Sequence, residues 1–111
     1  RDDEYLAKQA LILLTENALD AYRRAGSAAA PRRICAAAGV NGACVRVSVA
    51  DGCPPVDDVT WSRTDTSLAG LRDDIVRRGG RLLQESDGDG KVIVAEWSIV
   101  LQPLRDEGAP G

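Results

Sequence analysis

The residues from Leu11 to Gly26, LILLTENALDAYRRAG, constrain the fold of this chain more than any other stretch. Leu11, Leu14, Ala18, Ala21 and Ala25 recur at steps of three and four, so they share one face of a long helix that must be buried against something. Beside that stripe Glu16, Asp20 and Arg23 or Arg24 follow one another at steps of four and three. Two carboxylates and a guanidinium therefore line one neighbouring face. As a solvated face the row is mildly unfavourable, because carboxylates one turn apart repel and Asp is a poor residue inside a helix. As a site for a cation or a charged ligand it has a purpose. Residue types alone leave both readings open.

The rest of the chain supplies what the helix packs on. Asp2, Asp3 and Glu4 put negative charge at the positive dipole end of a helix starting near Tyr5, and Gly26 is placed to stop it. Ser27 to Arg33 reads as a small-residue loop. Ile34 to Ala38 and Ala43 to Ala50 read as strands joined through Gly39-Val40-Asn41-Gly42, a hairpin signal. Val45, Val47 and Val49 share a face, so the two-residue period carries Asp51 onto the buried side where the strand ends. A carboxylate in that position wants a partner. Gly52 to Asp65 has two prolines and no period, and reads as a loop. A second helix resumes at about Ser67, burying Leu68, Leu71 and Ile75 and ending at Gly79-Gly80. Arg81 to Glu85 and Lys91 to Leu101 form another hairpin around Asp87-Gly88-Asp89-Gly90. Helix, hairpin, loop, helix, hairpin implies a two-layer α+β sandwich with both helices on one face of the sheet. Residues 1–103 make the domain, and 104–111 read as a disordered tail or linker.

Composition narrows the function classes. A chain of 111 residues is one small domain, and a net charge of -3 without a basic patch argues against a nucleic-acid surface. The apolar runs are far shorter than the roughly 20 residues of a membrane span. Three cysteines, an odd number in a domain large enough to fold without staples, suit a reducing compartment. With no histidine, a zinc site and Ser-His or Cys-His catalysis lack an essential member. A chain with no methionine that begins at Arg1 is expected to be part of a longer protein.

Two segments together resemble a known family. Leu68 to Gly90, LAGLRDDIVRRGGRLLQESDGDG, is similar to the pattern Leu-x-Gly-(Met/Leu)-Arg-(Glu/Asp), helix, Gly-Gly, strand, Ser and glycine turn of the ATP-binding catalytic domain of sensor histidine kinases. That family belongs to the superfamily shared with gyrase B, Hsp90 and MutL. Glu16 to Ala25, ENALDAYRRA, resembles the family's asparagine-box helix, and the short loop before the second helix is similar to the subfamily with a curtailed ATP lid.

The resemblance implies a Bergerat-type ATPase fold, helices packed on one face of a mixed sheet, with ATP and Mg²⁺ as cofactors. It places Asp20 at the metal-binding asparagine, Glu16 at a glutamate acting as or orienting a base, and Arg23 at a phosphate-contacting basic residue. Asp51 takes the adenine slot, and Gly52, Ser67, Leu68 and Gly70 fall in the nucleotide-binding segments. Several slots depart from the pattern. Asp-x-Gly-x-Gly is Asp51-Gly52-Cys53-Pro54-Pro55, and moving the register by one residue would put Ala50 in the adenine slot. Gly-x-Gly-Leu is Asp65-Thr66-Ser67-Leu68, where Asp65 is expected to cap the helix and compete with phosphates. A threonine slot is held by Lys91.

The implied function is phosphoryl transfer from ATP to a histidine on another domain of a bacterial two-component sensor kinase. That acceptor is expected on a helix N-terminal to Arg1, in a dimerisation and phosphoacceptor domain of the same parent protein. A response regulator would be an indirect partner, and nucleic acid and direct membrane contact are not expected. The domain is expected in the cytoplasm, with a membrane anchor for the parent protein left open. The alternatives are a degenerate version kept as an interaction or regulatory module and, less in keeping with the motifs, a serine-kinase anti-sigma factor.

Overall fold

The computed structural model describes residues 2–25, 33–88 and 90–99. In order, it contains α1 (Asp2–Ala25), β1 (Ile34–Asn41), β2 (Cys44–Asp51), α2 (Asp58–Trp61), α3 (Ser67–Arg77), β3 (Arg81–Asp87) and β4 (Gly90–Ser98). The tail at 104–111, Leu101, Gly26 and the loop up to residue 32 lie outside the described residues.

The helix α1 begins earlier than its sequence suggests. Asp2 to Glu4 are already helical, and Asp3 accepts hydrogen bonds from Arg78 and from Trp97 Nε1, the latter at 3.0 Å. Its first turn is thereby tied to the end of α3 and to β4. The buried stripe is Leu6, Ala10, Leu14, Ala18 and Tyr22, one strict row of four-residue steps. Such a row is a ridge that packs into the groove of a neighbour. Leu11 and Ala21, expected in the stripe, are half-buried at its flank.

All described strand pairs are antiparallel, in the order β1-β2-β4-β3, which corrects the expected mixed sheet. The reason is topological. Because β2 and β3 each pair antiparallel with β4, they run parallel to one another, as a helical crossover between them requires. β4 then inserts between them, so no parallel neighbours remain. The first turn is also tighter than expected: β1 continues through Gly39-Val40-Asn41, and Gly42, at φ 66°, turns the chain within two residues. The second hairpin pairs Asp87 with Gly90, and Gly88 takes φ 62°.

One side of the sheet carries Val45, Val47 and Val49 from β2, Leu82 from β3 and Ile93, Ala95 and Trp97 from β4. Against them pack Leu6, Ala10, Leu14 and Ala18 of α1 and Leu71 and Ile75 of α3. Leu68 is half-buried at the edge of this core. α3 ends as its Gly-Gly signal implies, with Gly79 at φ 77°, Gly79 N–H bonded to Val76 O and Gly80 N–H to Ile75 O, both at 2.9 Å. Within Gly52 to Asp65, read as a loop, α2 forms one helical turn capped by Asp57, whose carboxylate accepts from Thr60 N–H at 2.7 Å.

Candidate functional site

Asp51 ends β2 on the buried side, as the strand period requires, and its Cα partner across the β2–β4 ladder is Lys91. The two side chains meet as an ion pair, Lys91 Nζ standing 3.0 Å from Oδ1 and 2.8 Å from Oδ2 of Asp51. Both are withdrawn from water, at 1% and 2% exposure. Cys53 N–H donates to Asp51 Oδ1 at 2.8 Å, so that oxygen holds two donors. Gly90, preceding Lys91, brings the strands this close: a Cβ there would overlap the Asp51 carbonyl.

From this pair a groove runs between α1 and the segment leading into α3. Its inner part is a cavity of about 390 Å³ whose walls include Asn17, Arg24, Cys53, Asp57, Thr60 and Lys91. Its outer part, about 250 Å³, is walled by Glu16, Asn17, Asp20 and Arg24 from α1 and by Ser67 and Leu68 from α3. The two share Asn17, Arg24, Val56 and Thr60. Asn17 Oδ1 is buried and accepts no hydrogen bond, an orphan in the wall common to both cavities.

The wall opposite α1 is held by named contacts. The Gln84 amide of β3 clamps Val56 in both directions, accepting from its N–H at 3.0 Å and donating to its carbonyl at 2.7 Å. Arg72 of α3 donates to the carbonyls of Trp61 and Arg63 at 2.7 and 3.2 Å. The backbone N–H of Thr60, and then its hydroxyl, hold the Asp57 carboxyl below its usual range. Thr66, not Asp65, caps α3: Thr66 Oγ1 accepts from Ala69 N–H at 3.0 Å. Asp65 turns outward and is gripped by Arg63 through two hydrogen bonds of 2.9 and 2.7 Å, which lower its carboxyl and raise the guanidinium. The expected competition between Asp65 and a ligand at the helix start is therefore corrected. With Thr66 Oγ1 and its carbonyl serving Ala69 and Gly70, the N–H groups of Ser67 and Leu68 have no partner within the helix.

The structure brings Glu16, Asp20, Ser67 and Leu68 to one cavity. It places other predicted residues elsewhere. Arg23 lies on the exposed face paired with Asp20, and Arg24 is the basic residue in the groove wall. Asp51 is buried together with Lys91, its carboxylate engaged in their ion pair. Gly52 uses its N–H on the Tyr22 hydroxyl at 2.8 Å, and Gly70 is exposed on α3. Sequence reading passed over Asn17, Val56, Thr60 and the pairing of Lys91. The period-two pattern of Lys91, Ile93, Ala95 and Trp97 did carry one signal, since it puts Lys91 on the buried face, where an ammonium requires an anion.

Among the described residues no three His, Cys, Asp or Glu side chains converge on a point, the three cysteines are free, and no helix is long and apolar enough to cross a membrane.

No family model and no curated protein sequence matches the chain. Among solved structures, the catalytic domain of histidine kinase ThkA, in a nucleotide-free form, is similar at a TM-score of 0.66 and 27% identity. The match covers 85% of this chain and 66% of that one. Histidine kinase ThkA in complex with the response regulator protein TrrA is similar at a TM-score of 0.51 and 23% identity, over 71% of this chain and 26% of that one. The chain thus spans just under two thirds of the first structure and about a quarter of the second. By its sheet order, its helical layer and its likeness to the first of these, the chain has the fold of the ATP-binding catalytic domain of histidine kinases.

Proposed function

We propose that this chain is the nucleotide-handling domain of a two-component histidine kinase, serving phosphoryl transfer from a purine nucleoside triphosphate, ATP by kinship, to a histidine elsewhere. The observation that carries this reading is the outer cavity, which brings the start of α3, at Ser67 and Leu68, and the α1 carboxylates Glu16 and Asp20 to one lining within this fold.

The residues there suit a triphosphate and a magnesium ion. Ser67 and Leu68 offer donors at a positive helix end, and Arg24 adds a cation. Asn17 Oδ1 is a spare buried oxygen, and Glu16 and Asp20 are exposed carboxylates near it. Mg²⁺ needs only one or two protein oxygens beside phosphates and water, so the lack of a three-residue acidic cluster does not count against it. When bound, the ion would neutralise charge on the phosphates. The chain's own residues would orient the terminal phosphoryl and, through Glu16, hold a proton near the acceptor. At the inner end the fit to adenine fails, because Asp51 is already engaged.

With no histidine in the sequence, the acceptor must come from another segment, as the proposed partner domain would provide. A response regulator is the partner that ThkA has in its complex, and we assign this chain's parent protein the same kind of partner. A cytoplasmic location and a bacterial phosphorelay complete the proposal.

Calorimetric titration with non-hydrolysable nucleoside triphosphates and Mg²⁺ tests it. Saturable binding with a Kd below about 1 mM is expected, with the Mg²⁺-dependent part lost in Asp20→Ala and kept in Asp20→Asn. A folded chain that binds none of ATP, ITP or GTP at millimolar concentration would overturn the proposal. A second reading, an interaction or regulatory module without nucleotide, draws on one observation, the Asp51 carboxylate closed off by Lys91. It gains from that same negative result.

A further inference from the structure

We infer that Gln84 is a positioning residue for the nucleotide: together with Arg72 it holds the wall of the groove opposite α1 in its binding position before a ligand arrives. The inference rests on the nucleotide reading above and concerns how that same site is kept formed.

From Pro54 to Leu68 no residue is buried, although this segment builds one side of the groove. Val56 and Trp61 are half-buried, α2 buries nothing, and Val59 stands 79% exposed. Apolar burial therefore contributes little to its position, and a segment of this kind opens locally at small cost unless something else fastens it. Two side chains from outside the segment do so. By the two-residue period Gln84 follows Leu82 onto the helix-facing side of the sheet, one step beyond the core. Its amide accepts from Val56 N–H at 3.0 Å and donates to the Val56 carbonyl at 2.7 Å, as the backbone of a neighbouring strand would. A carboxamide can do both because it carries a donor and an acceptor side by side. Arg72 fixes the far end of α2, donating to the carbonyls of Trp61 and Arg63 at 2.7 and 3.2 Å.

Between these anchors lies Thr60, which with Val56 lines both the inner and the outer cavity. The anchors thus set how far this wall stands from α1. A wall that occupied its binding position only part of the time would reduce the apparent affinity by that fraction. Fastened in advance, it leaves the nucleotide no ordering to do, which favours binding.

Gln84→Leu keeps the bulk of the side chain and removes both bonds, and Arg72→Gln withdraws the second anchor. Each would be checked by thermal melt and compared with the native chain by calorimetry, using a non-hydrolysable ATP analogue with Mg²⁺, and by amide exchange with and without that nucleotide. Gln84→Leu should bind about tenfold more weakly. Without nucleotide, exchange at Thr60 and Trp61, whose N–H groups bond within the α2 turn, should accelerate by at least about tenfold, and saturating nucleotide should restore it. Ile75, in the core of α3, should not change. Arg72→Gln should give the same pattern, and it decides the matter if Gln84→Leu fails to fold. Native affinity in the folded variants, or acceleration that extends to Ile75 and is not reversed by nucleotide, overturns the inference while leaving the nucleotide reading intact. If neither variant folds, the two side chains serve the fold as a whole and the inference falls. If the folded native chain binds no nucleotide, the reading above falls and this one with it.

Discussion

A buried carboxylate and a buried ammonium tolerate their positions only as a pair. Lys91 and Asp51 are 40 residues apart in sequence, and each would carry an uncompensated charge at 1–2% exposure without the other. Removing one partner of such a pair costs about 3–5 kcal/mol, whereas replacing both is close to neutral. Lys91→Met should thus lower the unfolding free energy in urea by about 3–5 kcal/mol, and Asp51→Asn/Lys91→Met should recover most of the loss. Equal destabilisation by the single and double variants would mean that the loss does not come from a carboxylate left without its counter-charge. Sequence placed Asp51 on the buried face because parity within one strand is a local property. Lys91 stands at a threonine slot of the resembled pattern, but its pairing depends on the register between β2 and β4, which no local pattern reveals. Asn17 escaped notice for a related reason. On a helix projection it lies between the buried stripe and the polar row, and only the second wall of the groove gives its orphan oxygen a meaning.

Elements with a long period were legible, and short ones were not. α1 and α3 repeat their apolar positions over several turns, whereas α2 spans four residues and cannot show a period. Its only sequence signal was Asp57 three residues ahead of Thr60, the spacing of a capping side chain. Because Asp57 in the folded chain titrates below the ordinary value of 3.8, its capping contribution is fully present above that value. It is lost as pH falls through the lowered folded value. The Thr60 amide resonance should report this transition below pH 3.8 and lose it in Asp57→Ala. At the start of α3 the reading from sequence chose the wrong cap, since two candidate side chains stood side by side and Arg63 claimed one of them. Thr66→Ala should cost about 1 kcal/mol in urea unfolding, and Asp65→Gly should leave the α3 cap intact. A larger loss from the Asp65 variant would restore the original assignment.

At the scale of the whole molecule, alternation within strands and the order of elements were enough for two layers, but not for the insertion of β4 between β2 and β3. That insertion is set by long-range pairing, and it determines where the groove lies. The elements around the groove meet at one group, the Tyr22 hydroxyl in the last turns of α1. It accepts from Gly52 N–H at 2.8 Å and from Arg33 N–H at 3.0 Å, and donates to the Arg33 carbonyl at 2.8 Å. The residue just before β1, the residue just after β2 and the end of α1 are thereby fastened to a single oxygen. Tyr22→Phe keeps the ring in the core and removes only that oxygen, leaving two N–H groups and a carbonyl to find other partners. A loss of about 1–3 kcal/mol is expected from such unsatisfied groups, read as a lower urea midpoint with an unchanged slope. Because Gly52 and Cys53 follow Asp51 directly, the effect should be concentrated at the inner end of the groove. Amide exchange at Gly52 and Cys53 should accelerate more than that at Ile75 in α3, where the helix packs away from Tyr22. Uniform acceleration across the chain would show that the hydroxyl supports global stability only, whereas a local effect would make Tyr22 the fastening of the groove's inner end.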